Sequence, residues 1–135
     1  MSASHVEERP FALRRTAAFD FIEGLNRTKE ALREQGFDIA TTLDASVALG
    51  GACTILGVCD DDLLRRAVAA DPDAGALLPC SVAVHASGDS IVVEAVDPTV
   101  TLGGAGNEAL AAIAAEVRER LAKALARLPA GRRGS

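Results

Sequence analysis

The sequence predicts an α+β fold, a mostly antiparallel sheet covered by helices on one face, in the order β-α-β-β-α-β-β-α. Three observations predict it. Short apolar runs alternate with period two and are bounded by glycine turns or Asp-Pro breaks. Three other stretches carry apolar stripes at three- and four-residue steps. The strands follow one another as hairpins, which makes their pairing antiparallel and leaves the helices to cover the sheet. At 135 residues the chain is long enough for one continuous core and too short for two large domains.

Each element has a local cause. In Phe11 to Ala17, Phe11, Leu13 and Arg15 alternate with Ala12, Arg14 and Thr16, which suits a modest, partly exposed first strand. Asp20, with Glu23 three residues on, is close to a capping box and starts a helix. Its inward stripe is Phe21 or Ile22, Leu25, Thr28 and Leu32, and Gly36 supplies the left-handed residue that stops it at Gln35. Phe37 to Leu43 and Ala52 to Val58 read as strands, the first with Phe37, Ile39, Thr41 and Leu43 on one face, joined by a turn at Gly50-Gly51. Asp60-Asp61-Asp62 caps a short helix through Leu63, Leu64, Ala67 and Val68, which ends at Asp71-Pro72 because proline lacks an amide donor.

Cys80 to Ala86 and Ser90 to Val96 form the clearest hairpin. A two-residue turn at Gly88-Asp89 pairs Val84 with Val93 and Val82 with Ala95. Val82, Val84, Ile91 and Val93 then share an apolar face, and His85, Val92 and Glu94 the other. Asp97-Pro98 breaks the strand, and Asn107 caps a long helix with the stripe Leu110, Ile113, Val117, Leu121, Ala124 and Leu128. The single domain spans 10–128, and the ends, 1–9 and 129–135, are expected to fray.

Charge and composition narrow the function. A net charge of −5 argues against nucleic acid and anionic membrane as partners. Four Phe are the only aromatic residues, leaving few rings on which bases or sugars could stack. The longest uncharged stretch, Ala45 to Cys59, contains glycines and falls short of the ~20 apolar residues of a membrane span. Met1 to Pro10 has no apolar signal region, so the cytoplasm is the expected location. Three cysteines, an odd number, are expected to be reduced thiols.

Cys59 and Cys80 are the first candidates for chemistry. Cys59 stands where a strand feeds a helix N-terminus, whose dipole favours a thiolate, while Asp60, Asp61 and Asp62 oppose ionisation. Cys80 opens a strand after Pro79. The bland reading makes both small core residues. Cys53 falls by parity on the strand face of Ile55 and Cys59. Separated cysteines and the distant His5 and His85 do not give the spacing of a structural zinc site. His85 and Glu94 are diagonal neighbours on one hairpin face, close enough to orient an imidazole or to form a solvated pair. A thiol–imidazole site follows if Cys59 or Cys80 approaches His85. Leu102 to Asn107 is glycine-rich before a helix but matches no phosphate-loop or dinucleotide pattern, and hydrolase templates are absent. Ala111, Ala114, Ala115, Ala122 and Ala126 leave a smooth helix surface for a second subunit.

Ile55-Leu56-Gly57-Val58-Cys59, Ala70-Asp71-Pro72, Gly75 and Leu77-Leu78-Pro79-Cys80, in that order, make the chain resemble the domain of unknown function 302 family. The likeness extends back to Glu34-Gln35-Gly36-Phe37 and forward through Val96-Asp97-Pro98 and the last helix. It implies a small α+β domain related in shape to the TATA-binding-protein fold, usually a homodimer, with no firmly established activity. Two features depart from the family pattern: Asp60-Asp61 replaces Asn-Pro, and the connection Ser46 to Gly51 is shorter. The leading expectation is a small-ligand or soft-metal binding, or thiol-sensing, module around Cys59 and Cys80 with Asp97 as a polar neighbour, and His85 and Glu94 as weaker candidates. An enzyme with Cys59 as nucleophile and a purely structural dimerisation module are the alternatives. The residues do not identify a cofactor.

Overall fold

The computed structural model describes residues 6–130. Six strands form one antiparallel sheet in the order β1-β2-β6-β5-β4-β3: β1 Glu7–Glu8, β2 Ala12–Ala17, β3 Asp38–Asp44, β4 Cys53–Cys59, β5 Cys80–Ser87 and β6 Ser90–Val96. The helices are α1 Phe21–Glu34, the single-turn α2 Ser46–Leu49, α3 Asp61–Ala70, α4 Pro98–Thr101 and α5 Glu108–Ala126. Tight 3-10 turns occupy Pro72–Leu77 and Gly103–Ala105.

Alternation assigns the two faces of the sheet. Leu13 and Ala17 of β2, Leu56 and Val58 of β4, Cys80, Val82 and Val84 of β5, and Ile91, Val93 and Ala95 of β6 are all buried beneath the helices. The hairpin register is the one the turn predicts, Val84 opposite Val93 and Val82 opposite Ala95. The α5 stripe Leu110, Ile113, Val117, Leu121 and Ala124, with Leu128 just beyond the helix end, is buried throughout, and burial of such a stripe contributes roughly 1.5–3 kcal/mol per large side chain. Gly24 lets α1 lie directly on β6, because a Cβ there would meet the Ile91 side chain well inside contact distance.

The helix caps follow the sequence. Asp20 accepts from the Glu23 amide at 3.0 Å, Asp60 from Leu63 at 2.7 Å and Asn107 from Leu110 at 3.1 Å. Gly36, at φ +90°, ends α1 after Gln35.

Several expectations need correcting. The strand Ala12–Ala17 is partly exposed as expected, with Thr16 open to solvent, but it is an interior strand, paired with β6 and, through Arg14 and Leu13, with Glu7 and Glu8. Glu7 and Glu8 are therefore held by strand pairing and not frayed; residues 1–5 and 131–135 of the expected loose ends lie outside the described residues. Strand β3 does not keep one alternation. A bulge shifts its register between Ile39 and Thr41, so Phe37 and Ile39 meet the core while Thr41 and Leu43 pair with Gly57 and Ile55 on the other face. The β3–β4 connection is the α2 turn, closed by a left-handed Gly50, rather than a bare glycine turn. After β6 the chain winds into α4, and the glycine-rich stretch that follows forms a 3-10 turn, with Leu102 fully buried. Ala114 points into the core, which narrows the smooth face expected on α5.

Candidate functional site

The register of β4 and β5 brings the two predicted cysteine segments side by side: Cys80 is the cross-strand partner of Val58, one residue before Cys59. Cys80 belongs to the buried row of β5 and is only 2% exposed. Burial first, and then the charge of Cys59, push its thiol up to about 11 despite the nearby Arg120. Cys59 is half-buried against the core, and its Sγ lies 3.6 Å from the Asp60 carbonyl. Its pKa is also raised, chiefly by burial and further by Asp60 and Asp38, with the Asp60 backbone contact and Arg120 pulling the other way. Both sulfurs are therefore neutral thiols near pH 7.

Charges around this end of the sheet are committed to structure. Arg120 stacks over Phe37 at 4.1 Å, donates to the Gln35 carbonyl at 3.0 Å and reaches Asp60 at 2.7 Å, joining the end of α1 to the start of α3. Asp97 accepts from Thr99 N at 3.0 Å and Thr99 Oγ1 at 2.6 Å, and pairs with Arg118 at 3.2 Å. Burial raises the Asp97 pKa, but the Thr99 bonds and Arg118 outweigh it and hold the carboxyl below its usual value. Asp97 thus caps α4. The Leu78–Pro79 peptide bond is cis, and the Pro79 ring with Thr41 closes over Gly57, where a Cβ would collide with both.

The other face of the sheet is open and differently furnished. His85 and Glu94 do lie on it as diagonal neighbours, since His85 pairs with Val92 and Ala83 with Glu94. Glu94 is engaged by Arg14 Nε at 3.0 Å from β2. On the β4 side the direct cross-strand partner of His85 is Cys53, not Cys59 or Cys80. Paired residues leave a sheet on the same side, so this thiol and this imidazole face the same space. Cys80 is on the core side, and Cys59 is six residues along β4, about 20 Å from the Cys53 position. The thiol–imidazole pairs expected of them do not form.

A cleft of about 430 Å³ opens there, lined by Leu49, Cys53, Ile55, Ala83, His85 and Glu94 among others. A mainly apolar trough of about 360 Å³ continues it across Ile55, Ala83, Ser81 and Val96 to Ala12 and Phe11. Small side chains floor both, and the rims are Phe11, 67% exposed, and Leu49 of α2, 66% exposed. Among the described residues no group of three or more His, Cys, Asp or Glu side chains is placed to hold a metal ion.

A family model, the domain of unknown function DUF302, matches residues 13–128. The chain belongs to the DUF302 family. It is similar to the crystal structure of an uncharacterized conserved DUF302 protein from Bacillus stearothermophilus, at 24% identity and a TM-score of 0.82, over 89% of this chain and 99% of that one. That likeness concerns the fold. No curated protein matches significantly.

For this DUF302 domain, the residue that sequence reasoning undervalued is Cys53. Parity put it with Ile55, and the hairpin put His85 on the matching face; only the β4–β5 pairing, a contact between distant segments, joins the two observations.

Proposed function

We propose that this DUF302 domain is a non-catalytic binding module, working as a homodimer, whose ligand seat is the open sheet face rather than the Cys59–Cys80 neighbourhood. The observation that carries the reading is the character of that face. An antiparallel sheet with one solvated side ordinarily shows polar residues there. This one shows Ala12, Ile55, Ala83 and Val96 around a hollow whose size is that of a small-molecule site. His85 and Ser81 are its hydrogen-bonding groups, and Glu94 is already engaged in an ion pair with Arg14. The ligand class is a small, mainly apolar molecule with one polar end.

Cys59 and Cys80 take a packing role in this reading, and Asp97 a capping one. A nucleophilic Cys59 would need a depressed pKa, and its surroundings push the other way. No described helix is long and apolar enough to cross a membrane.

The test uses anilinonaphthalene sulfonate as an apolar fluorescent probe. Native protein is expected to bind it, and Ala83→Phe, which fills the trough, is expected to weaken binding at least tenfold while the far-UV circular dichroism stays unchanged. Equal binding by Ala83→Phe, or loss of binding in Cys59→Ser instead, contradicts the reading.

A further inference from the structure

We propose that the Cys53–His85 pair at the α2 end of the open-face cleft is a two-donor site for a soft monovalent cation of the copper(I) or silver(I) type. The inference extends the reading of the open face as the functional surface, but its chemistry is separate from that of the apolar trough.

The geometry carries it. Cys53 and His85 are directly opposed across the β4–β5 ladder. The neighbouring pair, Ala86 N to Ala52 O at 3.0 Å, is hydrogen-bonded, so Cys53 and His85 occupy the non-hydrogen-bonded position, where side chains approach most closely. Cβ atoms of such pairs are about 4.5–5.5 Å apart. Thiolate and imidazole bonds to a metal are about 2.3 and 2.0 Å, so the two donor atoms must stand roughly 4 Å apart, within reach of these side chains. Both residues line the same 430 Å³ cleft.

The donor set then selects the ion. Zinc takes four ligands, or three and a water, and no third donor joins this pair among the described residues. A d¹⁰ monovalent ion is satisfied by two donors in line, and a thiolate prefers soft cations. Leu49, Ile55, Ala83 and Ala86 line the cleft around the position with apolar surface and add no competing donor side chain. Binding exchanges one proton for one cation at Cys53, with no change of oxidation state: the S–H bond is lost, an S–metal bond forms and the proton leaves to solvent. Because burial and the nearby Asp44 raise the Cys53 pKa, the proton is present at neutral pH and its release is stoichiometric.

Silver(I) in chloride-free buffer at pH 7, titrated into the full chain by calorimetry in two buffers of different ionisation enthalpy, tests the site. The expected result is one tight equivalent with one proton released, lost in Cys53→Ser, weakened at least tenfold in His85→Ala and retained in Cys59→Ser. His85 is only partly buried, so His85→Ala reports on the site even if Cys53→Ser folds poorly. A tight equivalent that is indifferent to His85→Ala, or that disappears in Cys59→Ser, overturns the assignment. Absence of any tight equivalent while the apolar probe still binds overturns the metal site and leaves the proposed ligand seat standing; loss of both overturns the two together.

Discussion

Gly57 shows how closely single residues are held. A methyl group there would strike Thr41 Oγ1 and the Pro79 ring, one on the edge strand and one in the turn before β5. Gly57→Ala is expected to cost about 1–3 kcal/mol, the usual range for overpacking, read as a lower denaturant midpoint with an unchanged slope. Asp97 has a pH signature as well. Its folded pKa is depressed, so its contribution is full above the unfolded carboxylate value near 3.8 and fades as pH falls through the lower folded value. Asp97→Asn should therefore lower stability near neutral pH by about 1 kcal/mol, the scale of a lost cap, with the gap to the native protein closing in acid. A gap that is constant with pH would mean that the carboxylate charge is not involved.

At the scale of elements, the end of α5 depends on a buried cation. Arg15 is 3% exposed and donates from Nε and Nη2 to the Leu128 carbonyl at 2.9 and 2.5 Å, tying β2 to the chain leaving the helix. A cation at a helix C-terminus also meets the favourable end of the dipole. Arg15→Ala removes that tie, and faster amide exchange at residues 124–128 than in the α5 interior is the expected readout; unchanged protection there would contradict the role. Local signals made most elements legible in advance: the Asp20, Asp60 and Asn107 caps, the Gly36 stop and the Gly88-Asp89 turn each depend on residues within a few positions. The β3 bulge and the α2 turn were not legible. Nothing within Phe37 to Leu43 marks where the alternation slips, because the slip is set by pairing with β4 and by Gly57 admitting Thr41.

The whole molecule is a two-layer structure with one layer left uncovered. The sequence reading rested on the Cys59 and Cys80 segments folding side by side; the register pairs Cys80 with Val58, but burial depends on what α1, α3 and α5 cover, and that is a property of the assembled fold. The same holds for the open-face cleft, whose walls come from four strands and α2. A homodimer, the state the family resemblance implies, would give a mass near twice 13.9 kDa by light scattering at micromolar concentration; a monomeric mass would remove the dimer from the proposal and leave the cleft.

Amide chemical-shift mapping during titration with anilinonaphthalene sulfonate locates the ligand seat most directly. The account predicts perturbations concentrated at Cys53, Ile55, Ala83, His85, Glu94 and Val96. Perturbations concentrated instead at Cys59 to Asp61 and Leu78 to Cys80 would return the functional centre to the buried thiols and contradict it.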